Sequence, residues 1–131
     1  MTSAVPPSEK FKINLLEMLE DLKEEFENDQ KLKNSLELLL GFAREIASEK
    51  LISYFIDTLD KERLDGSLRQ KYLDGNYYFV LSVFISELPL AETLGLTKLD
   101  IKTLDEDSQS IYIEYLQSFY RISSSYKKTE V

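Results

Sequence analysis

The sequence contains no cysteine, no histidine and no tryptophan. Without cysteine the chain has no disulfide, no thiolate nucleophile and no cysteine-bound zinc site. Without histidine it lacks the usual general base near neutral pH and the commonest ligand of transition metals. We therefore expect a protein that is not an enzyme and that holds no metal or other cofactor.

Glycine and proline are also scarce, at 4 and 3 of the 131 residues. β-Sandwiches and β-barrels need many tight turns, which these two residue types supply, so the scarcity favours long helices. A hydrophobic content of 43% is enough for one domain with its own core and argues against a disordered chain. The predicted fold class is all-α, a compact bundle of about five to seven helices.

Positive charge is outnumbered, with 16 Lys and Arg against 24 Asp and Glu, for a net charge of −8. An acidic surface repels the phosphates of nucleic acids and of anionic membranes, so we expect no nucleic-acid partner. The most apolar stretch, residues 77–90, is too short and too polar to span a bilayer. The expected protein is soluble and intracellular, and it associates with a protein partner or with further copies of itself.

Apolar residues at spacings of three and four predict the helices in the first half of the chain. Ser8 offers an N-cap for a first helix that ends near Glu27. Asp29 offers a cap for a second helix, and residues 47–49 are the expected break before a third helix that ends near residue 58. A short helix is predicted for residues 67–73, followed by an Asp-Gly turn.

Two segments are predicted to be nearly all-apolar helices at the centre of the bundle, residues 77–88 and 111–122. The β-branched and aromatic content of 77–88 is also typical of a buried strand. We predict a helix because Asn76 can cap it, Pro89 ends it and no second strand-like run exists to pair with it. Residues 1–7 are expected to form a flexible leader, residues 8–122 a single domain and residues 123–131 a flexible tail.

Carboxylates are abundant, so an enzyme that uses carboxylates alone remains an alternative to a binding protein. A glycosidase-type pair needs two carboxyl groups across a cleft, one of them with a raised pKa. Glu45, Glu87 and Glu114 are the acids set most closely among apolar residues, although positions at helix edges explain them better than catalysis does. The segments that begin at Asp60 and Asp105 lack the glycine spacing of an EF-hand calcium loop.

Two groups of residues are candidates for binding a partner. Aromatic side chains are enriched at protein interfaces, and four tyrosines stand near polar neighbours or helix ends. These are Tyr72, Tyr77, Tyr112 and Tyr120. The first helix has an acidic outer face, which suggests as an alternative an adaptor or inhibitor that occupies a basic site on a partner. The acids expected to do so are Glu20, Glu24 and Glu27. Core packing of the tyrosines and solvation of the acidic face are the plain structural interpretations.

The segment of residues 88–123 resembles part of the small uncharacterised helical proteins of large eukaryotic (nucleocytoplasmic) DNA viruses. The similarity rests on an acidic cap at Asp107 and on an aromatic helix around Tyr115-Leu116-Gln117, with Tyr112 where that pattern has tryptophan. The resemblance implies a structural or interaction protein of the virion, such as a minor capsid component, and it transfers no functional residue. Separately, residues 129–131 resemble a carboxyl-terminal ligand of a PDZ domain.

Overall fold

The structure, a computed structural model, describes residues 5–88, 90–96 and 99–129, with side chains up to residue 126. Within these ranges the chain forms six α-helices, and no strand occurs there. Their bounds are α1 Pro7–Glu25, α2 Gln30–Glu45, α3 Ser48–Asp60, α4 Leu68–Leu73, α5 Tyr77–Ser86 and α6 Glu106–Thr129. A 3₁₀ helix, Ile101–Thr103, precedes α6. The all-α prediction is confirmed, and residues 77–86 form the predicted helix rather than a strand.

Three α-helices begin at a side-chain oxygen that accepts a hydrogen bond from a backbone N–H of the first turn. Asp29 accepts from Leu32 at 3.1 Å, Ser67 from Gln70 at 3.3 Å, and Asp105 from Ser108 at 2.7 Å. Asn76 precedes α5 as predicted, but its side chain makes no capping bond. Ser8, the predicted cap of the first helix, lies inside α1 because the helix begins one residue earlier, at a proline.

The last helix is longer than predicted. It was expected to end at Ile122, but it continues to Thr129. The continuation is stabilised by packing, since Ser123 is buried and Tyr126 lies against the core. The remaining residues of the predicted PDZ ligand, 130–131, lie outside the described residues, as do residues 1–4 of the predicted leader.

Four phenylalanines from four helices meet at the centre of the core. Their ring centroids lie between 4.8 and 5.9 Å apart in five contacts. They are Phe11 of α1, Phe55 of α3, Phe84 of α5 and Phe119 of α6. Both predicted central segments therefore reach this cluster. α1 is equally central, packing against α2, α3 and α6, although its sequence pattern did not predict this.

The contact between α1 and α6 fixes the register of the two helices. Three side-chain hydrogen bonds cross it: Asn14 to Ser118 at 2.8 Å, Tyr115 to Asp21 at 2.6 Å, and Ser108 to Glu25 at 2.9 Å. Residue numbers rise along α1 as they fall along α6, so the helices run antiparallel.

Candidate partner-binding site between the first and last helices

Three adjoining cavities of about 260, 400 and 460 Å³ follow the outer side of the α1–α6 contact. Each pair of cavities shares one lining residue. Ile111 lines the cavities of 260 and 400 Å³, Tyr115 those of 260 and 460 Å³, and Asp21 those of 400 and 460 Å³. The cavities are therefore adjacent, and we call the surface that they occupy the α1–α6 groove. It is defined by Ile13, Glu17, Asp21, Glu24, Ile111 and Tyr115.

Two isoleucines expose about half of their surface in this groove, 50% for Ile13 and 45% for Ile111. Single exposed hydrophobic residues are ordinary on a protein surface. These two, however, lie in one groove and are flanked by charged side chains. An apolar centre with a charged rim is the usual composition of a protein interface.

The charges around the isoleucines are almost all negative. The carboxylates that line the three cavities are Glu17, Glu20, Asp21, Glu24, Glu25, Glu27 and Glu114. Among the described residues that line them, Arg44 is the only cation, and it pairs with Glu20 at 2.8 Å. Glu20 also lies 3.5 Å from Lys23. One carboxylate is thus neutralised within the protein, whereas most of the acidic charge of the groove is uncompensated.

The three acids predicted from the first helix differ in their surroundings. Glu24 and Glu27 line the same cavity, and both are exposed. Within the described part of the chain, neither side chain has an ion pair or hydrogen bond. Glu20 is half-buried and is held by its two basic neighbours. The acidic face exists as predicted, but Glu20 is the member least available to a partner.

Tyr115 connects the two helices at the middle of the groove. Its hydroxyl donates a hydrogen bond of 2.6 Å to Asp21. Burial raises the pKa of Tyr115, and the bond to Asp21 and the nearby charge of Glu17 raise this pKa further. The tyrosine therefore remains a neutral donor that holds one oxygen of Asp21 in place.

Tyr112 corrects a sequence prediction, because it is buried with 1% of its surface exposed and is not an exposed contact residue. The reason is helical spacing: Tyr112, Leu116 and Phe119 lie on the face of α6 that packs into the core. Its hydroxyl is enclosed and has no hydrogen-bond partner in the described protein. Burial raises the pKa of Tyr112, and the charges of Glu25 and Asp21 raise it further.

The other three predicted tyrosines come together on a different side of the bundle. Tyr72 stacks on Tyr120 with ring centroids 4.1 Å apart, and Tyr77 lies 5.0 Å from Tyr72. The guanidinium of Arg69 lies 5.4 Å from the Tyr120 ring and pairs with Asp60 at 2.6 Å. We call Tyr72, Tyr77 and Tyr120 the tyrosine cluster. It joins α4, α5 and α6, and its role in partner binding stays a prediction.

The acids considered for catalysis have unrelated surroundings. Glu87 pairs with Arg63 at 2.8 Å, Glu114 lines the groove, and Glu45 is exposed at the end of α2. Across the described ranges, no group of three or more acidic side chains is placed to hold a metal ion. The carboxylates of the groove therefore present a broad negative surface rather than a converged coordination site.

Of the six residues that define the groove, only Glu24 was predicted from the sequence as a binding residue, and the other five were missed: Ile13, Glu17, Asp21, Ile111 and Tyr115. A usable signal exists in the spacing of polar residues. Asn14, Asp21 and Glu25 form a polar row beside the apolar stripe of α1, at intervals of seven and four. Ser108, Tyr115 and Ser118 repeat at similar intervals on α6. Such matched rows indicate two helices that pair along their edges.

No protein-family model, no curated protein and no solved structure matches this chain. The described helices include none that combines the length and the apolar character needed to cross a membrane.

Proposed function

We propose that this protein is a non-enzymatic interaction module that binds a basic segment of a partner protein in the α1–α6 groove. The observation that carries the proposal is the row of uncompensated carboxylates around two half-exposed isoleucines. This is the adaptor function considered from the acidic first helix, now assigned to a surface formed by two helices.

Charge complementarity favours a basic occupant. Carboxylates placed close together repel each other, and a cationic segment relieves that repulsion when it binds. A negative groove also attracts a positive partner before contact, which raises association rates by roughly ten- to a thousandfold at low salt. The pairing of Glu20 with Arg44 shows the same attraction within the chain.

The apolar part of the groove favours an amphipathic helix as the bound form of that segment. Helices that bind grooves place apolar side chains at positions i, i+3, i+4 and i+7 and leave polar ones at the edges. Ile13 and Ile111 offer the apolar contact, and Glu17 and Glu24 lie one and three turns further along α1. A helix with leucine on one face and basic residues at its flanks matches this arrangement.

Fluorescence anisotropy with a synthetic helical peptide of arginine and leucine tests the proposal. We expect binding that weakens steeply with added salt. The double variant Glu17→Gln/Glu24→Gln should bind roughly tenfold more weakly, a change of about 1.4 kcal/mol. The matched control, Glu37→Gln/Glu62→Gln, removes two exposed carboxylates outside the groove. Equal losses in both variants, or no binding by the unmodified protein, would contradict the proposal.

Self-association as a structural subunit is the second candidate function. It is favoured by large leucine side chains that are exposed outside the groove, namely Leu38, Leu64 and Leu73. Light scattering on the purified protein tests it, since a monomer at all concentrations argues against a homo-oligomer. Association with a virion follows from the viral resemblance alone and stays a prediction.

A further inference from the structure

The second helix, α2, has an outer face that the described protein leaves uncovered. Its buried residues, which lie on one side of the helix, are Leu36, Leu39, Leu40 and Ala43. The opposite side carries six exposed residues at intervals of three and four, and we call it the α2 outer face. They are Lys31, Asn34, Leu38, Gly41, Phe42 and Glu45. In the middle of this face Leu38 exposes 64% of its surface, and Phe42 beside it exposes 38%.

Gly41 lies in the middle of this face, although glycine weakens a helix. A glycine inside a helix is less favourable than alanine by about 1 kcal/mol. Glycine is required where a neighbour leaves no room for a side chain, but a Cβ atom added at Gly41 would meet no atom within 4 Å. Packing within one copy therefore does not explain this glycine. A surface without a side chain at this point lets a second helix approach the backbone of α2 closely.

The charges of the α2 outer face are arranged evenly about Leu38. Lys31 lies seven residues before Leu38, and Glu45 lies seven residues after it. Residues seven apart lie on the same side of a helix, about 10 Å from each other along its axis. Within the described part of the chain, neither Lys31 nor Glu45 has an ion pair. One helix face therefore carries an unpaired positive charge and an unpaired negative charge at equal distances from its central leucine.

Both charges also lie at the unfavourable end of their own helix. The amino end of a helix carries a partial positive charge, and the carboxyl end carries a partial negative charge. Lys31 is the second residue of α2 and Glu45 is the last, so each is repelled by the partial charge of the helix end beside it. An antiparallel second helix reverses this effect, because Lys31 then lies beside a carboxyl end and Glu45 beside an amino end.

We infer that the α2 outer face binds the same face of a second copy of this chain, as an antiparallel pair of helices centred on Leu38. In such a two-fold pair every contact between different residues is made twice. Leu38 lies opposite Leu38 of the second copy, and Lys31 of each copy lies opposite Glu45 of the other. The face is thus complementary to itself in charge and in shape, which favours a second copy over an unrelated partner.

The inference names the surface for self-association, the second candidate function, and it does not depend on the α1–α6 groove. The contact is limited to one helix of 16 residues from each copy. Such a contact is at the small end of specific protein interfaces, and small interfaces belong mostly to transient complexes. We therefore expect a reversible dimer that forms at high micromolar concentration rather than a permanent one.

Sedimentation equilibrium at several concentrations of the full-length chain tests the inference. The unmodified protein should change reversibly from monomer to dimer as its concentration rises. Leu38→Asp should weaken the dimer roughly tenfold or more, because it places two carboxylates at the centre of an apolar contact. The matched control is Leu73→Asp, at a similarly exposed leucine of α4, and it should dimerise like the unmodified protein. A monomer at millimolar concentration, or equal losses in both variants, overturns the inference.

Two charge variants test the antiparallel arrangement. Lys31→Glu places an acid opposite Glu45, and Glu45→Lys places a base opposite Lys31, so each variant alone should dimerise severalfold more weakly. In an equimolar mixture the opposed charges again differ in sign, and a heterodimer should form about as tightly as the unmodified dimer. Each change places its new charge at the favourable end of α2, so the fold should be kept.

The mixture also excludes a general attraction between the two variants, because both keep a net negative charge. A mixture that forms no heterodimer overturns the antiparallel pairing. So does a Lys31→Glu variant that dimerises as tightly as the unmodified protein.

The outcomes separate this inference from the groove function. Leu38→Asp should bind the arginine–leucine peptide with unchanged affinity, because Leu38 lies outside the groove. A protein that binds the peptide but stays monomeric rejects the α2 pairing alone, and one that dimerises without binding the peptide rejects the groove function alone. A dimer that is unaffected by Leu38→Asp also rejects the α2 outer face, although self-association through another surface would then remain.

Discussion

The α1–α6 groove and the tyrosine cluster both lie where α6 meets other helices, but they differ in how far their side chains are paired within the protein. In the tyrosine cluster the rings stack on each other, and Arg69 lies over Tyr120 while it pairs with Asp60. In the groove, carboxylates lie beside carboxylates and the hydroxyl of Tyr112 has no partner. Internal pairing contributes to folding stability, whereas unpaired groups keep their interactions for a second molecule. The following predictions test this difference.

The largest expected effect comes from Phe119, which belongs to the phenylalanine cluster at the centre of the core. It is buried, and its ring centroid lies within 6 Å of those of Phe11, Phe55 and Phe84. Phe119→Ala should lower the free energy of unfolding by about 3–5 kcal/mol because it leaves a cavity where four helices meet. Urea denaturation followed by circular dichroism measures the change.

The control for Phe119 is Phe79, a phenylalanine of α5 that is 51% exposed. Phe79→Ala should lower the free energy of unfolding by about 1 kcal/mol or less, since it removes less buried apolar surface. If the two alanine variants were equally destabilised, the phenylalanine cluster would not be the structural centre on which both regions depend.

The next effect concerns Tyr115, whose hydrogen bond to Asp21 is the shortest of the three that cross the α1–α6 contact. Tyr115→Phe removes the hydrogen bond to Asp21 and should lower the free energy of unfolding by about 1–2 kcal/mol near neutral pH. The pKa of Tyr115 is raised above its ordinary value of 10.0 in the folded protein. Its contribution to stability is therefore complete below pH 10 and is lost as the pH rises through the folded pKa.

Denaturation at several alkaline pH values measures this loss. The difference in stability between the unmodified protein and Tyr115→Phe should shrink above pH 10, because only the tyrosine form has this hydroxyl to ionise. A difference that stays constant to higher pH would show that the Tyr115 hydroxyl does not contribute through its bond to Asp21.

A smaller effect is expected in the tyrosine cluster. Tyr72→Leu removes the ring that stacks on Tyr120 and contacts Tyr77, and stability should fall by about 1 kcal/mol beyond the loss of buried area. The affinity for the arginine–leucine peptide should not change, since the cluster's faces are already occupied. Tyr54→Leu is the control outside both regions. Weaker peptide binding by Tyr72→Leu would show that the cluster is itself a binding surface.

The two regions also differ in what the sequence could predict. The acidic face of α1 was predictable because Glu20, Glu24 and Glu27 recur on the side opposite the apolar stripe. The helices were predictable from the same periodicity and from caps such as Asp29. These are local signals, since they depend on residues within a few turns of one helix.

The position of Tyr112 was not predictable in this way. The last helix has apolar residues on more than one face, so its periodicity does not decide which face enters the core. That choice depends on packing against α1, whose register is fixed by contacts such as Asn14 to Ser118. The groove therefore depends on tertiary packing, and only its acidic face on α1 can be predicted from the sequence of a single helix.

The smallest effect on stability should come from Arg44, the cation that lines the groove. Its pair with Glu20 is open to solvent, since Arg44 is exposed and Glu20 only half-buried, so Arg44→Gln should change the free energy of unfolding by about 0.5 kcal/mol or less. The same change makes the groove more negative, and the arginine–leucine peptide should bind about two- to threefold more tightly at low salt. Arg121→Gln is the control, because it removes one positive charge at an exposed position on α6 outside the groove. It should increase the peptide affinity less than Arg44→Gln does. Weaker binding by Arg44→Gln would mean that the partner presents an acid to Arg44, and the groove would then recognise a mixed-charge segment rather than a basic one.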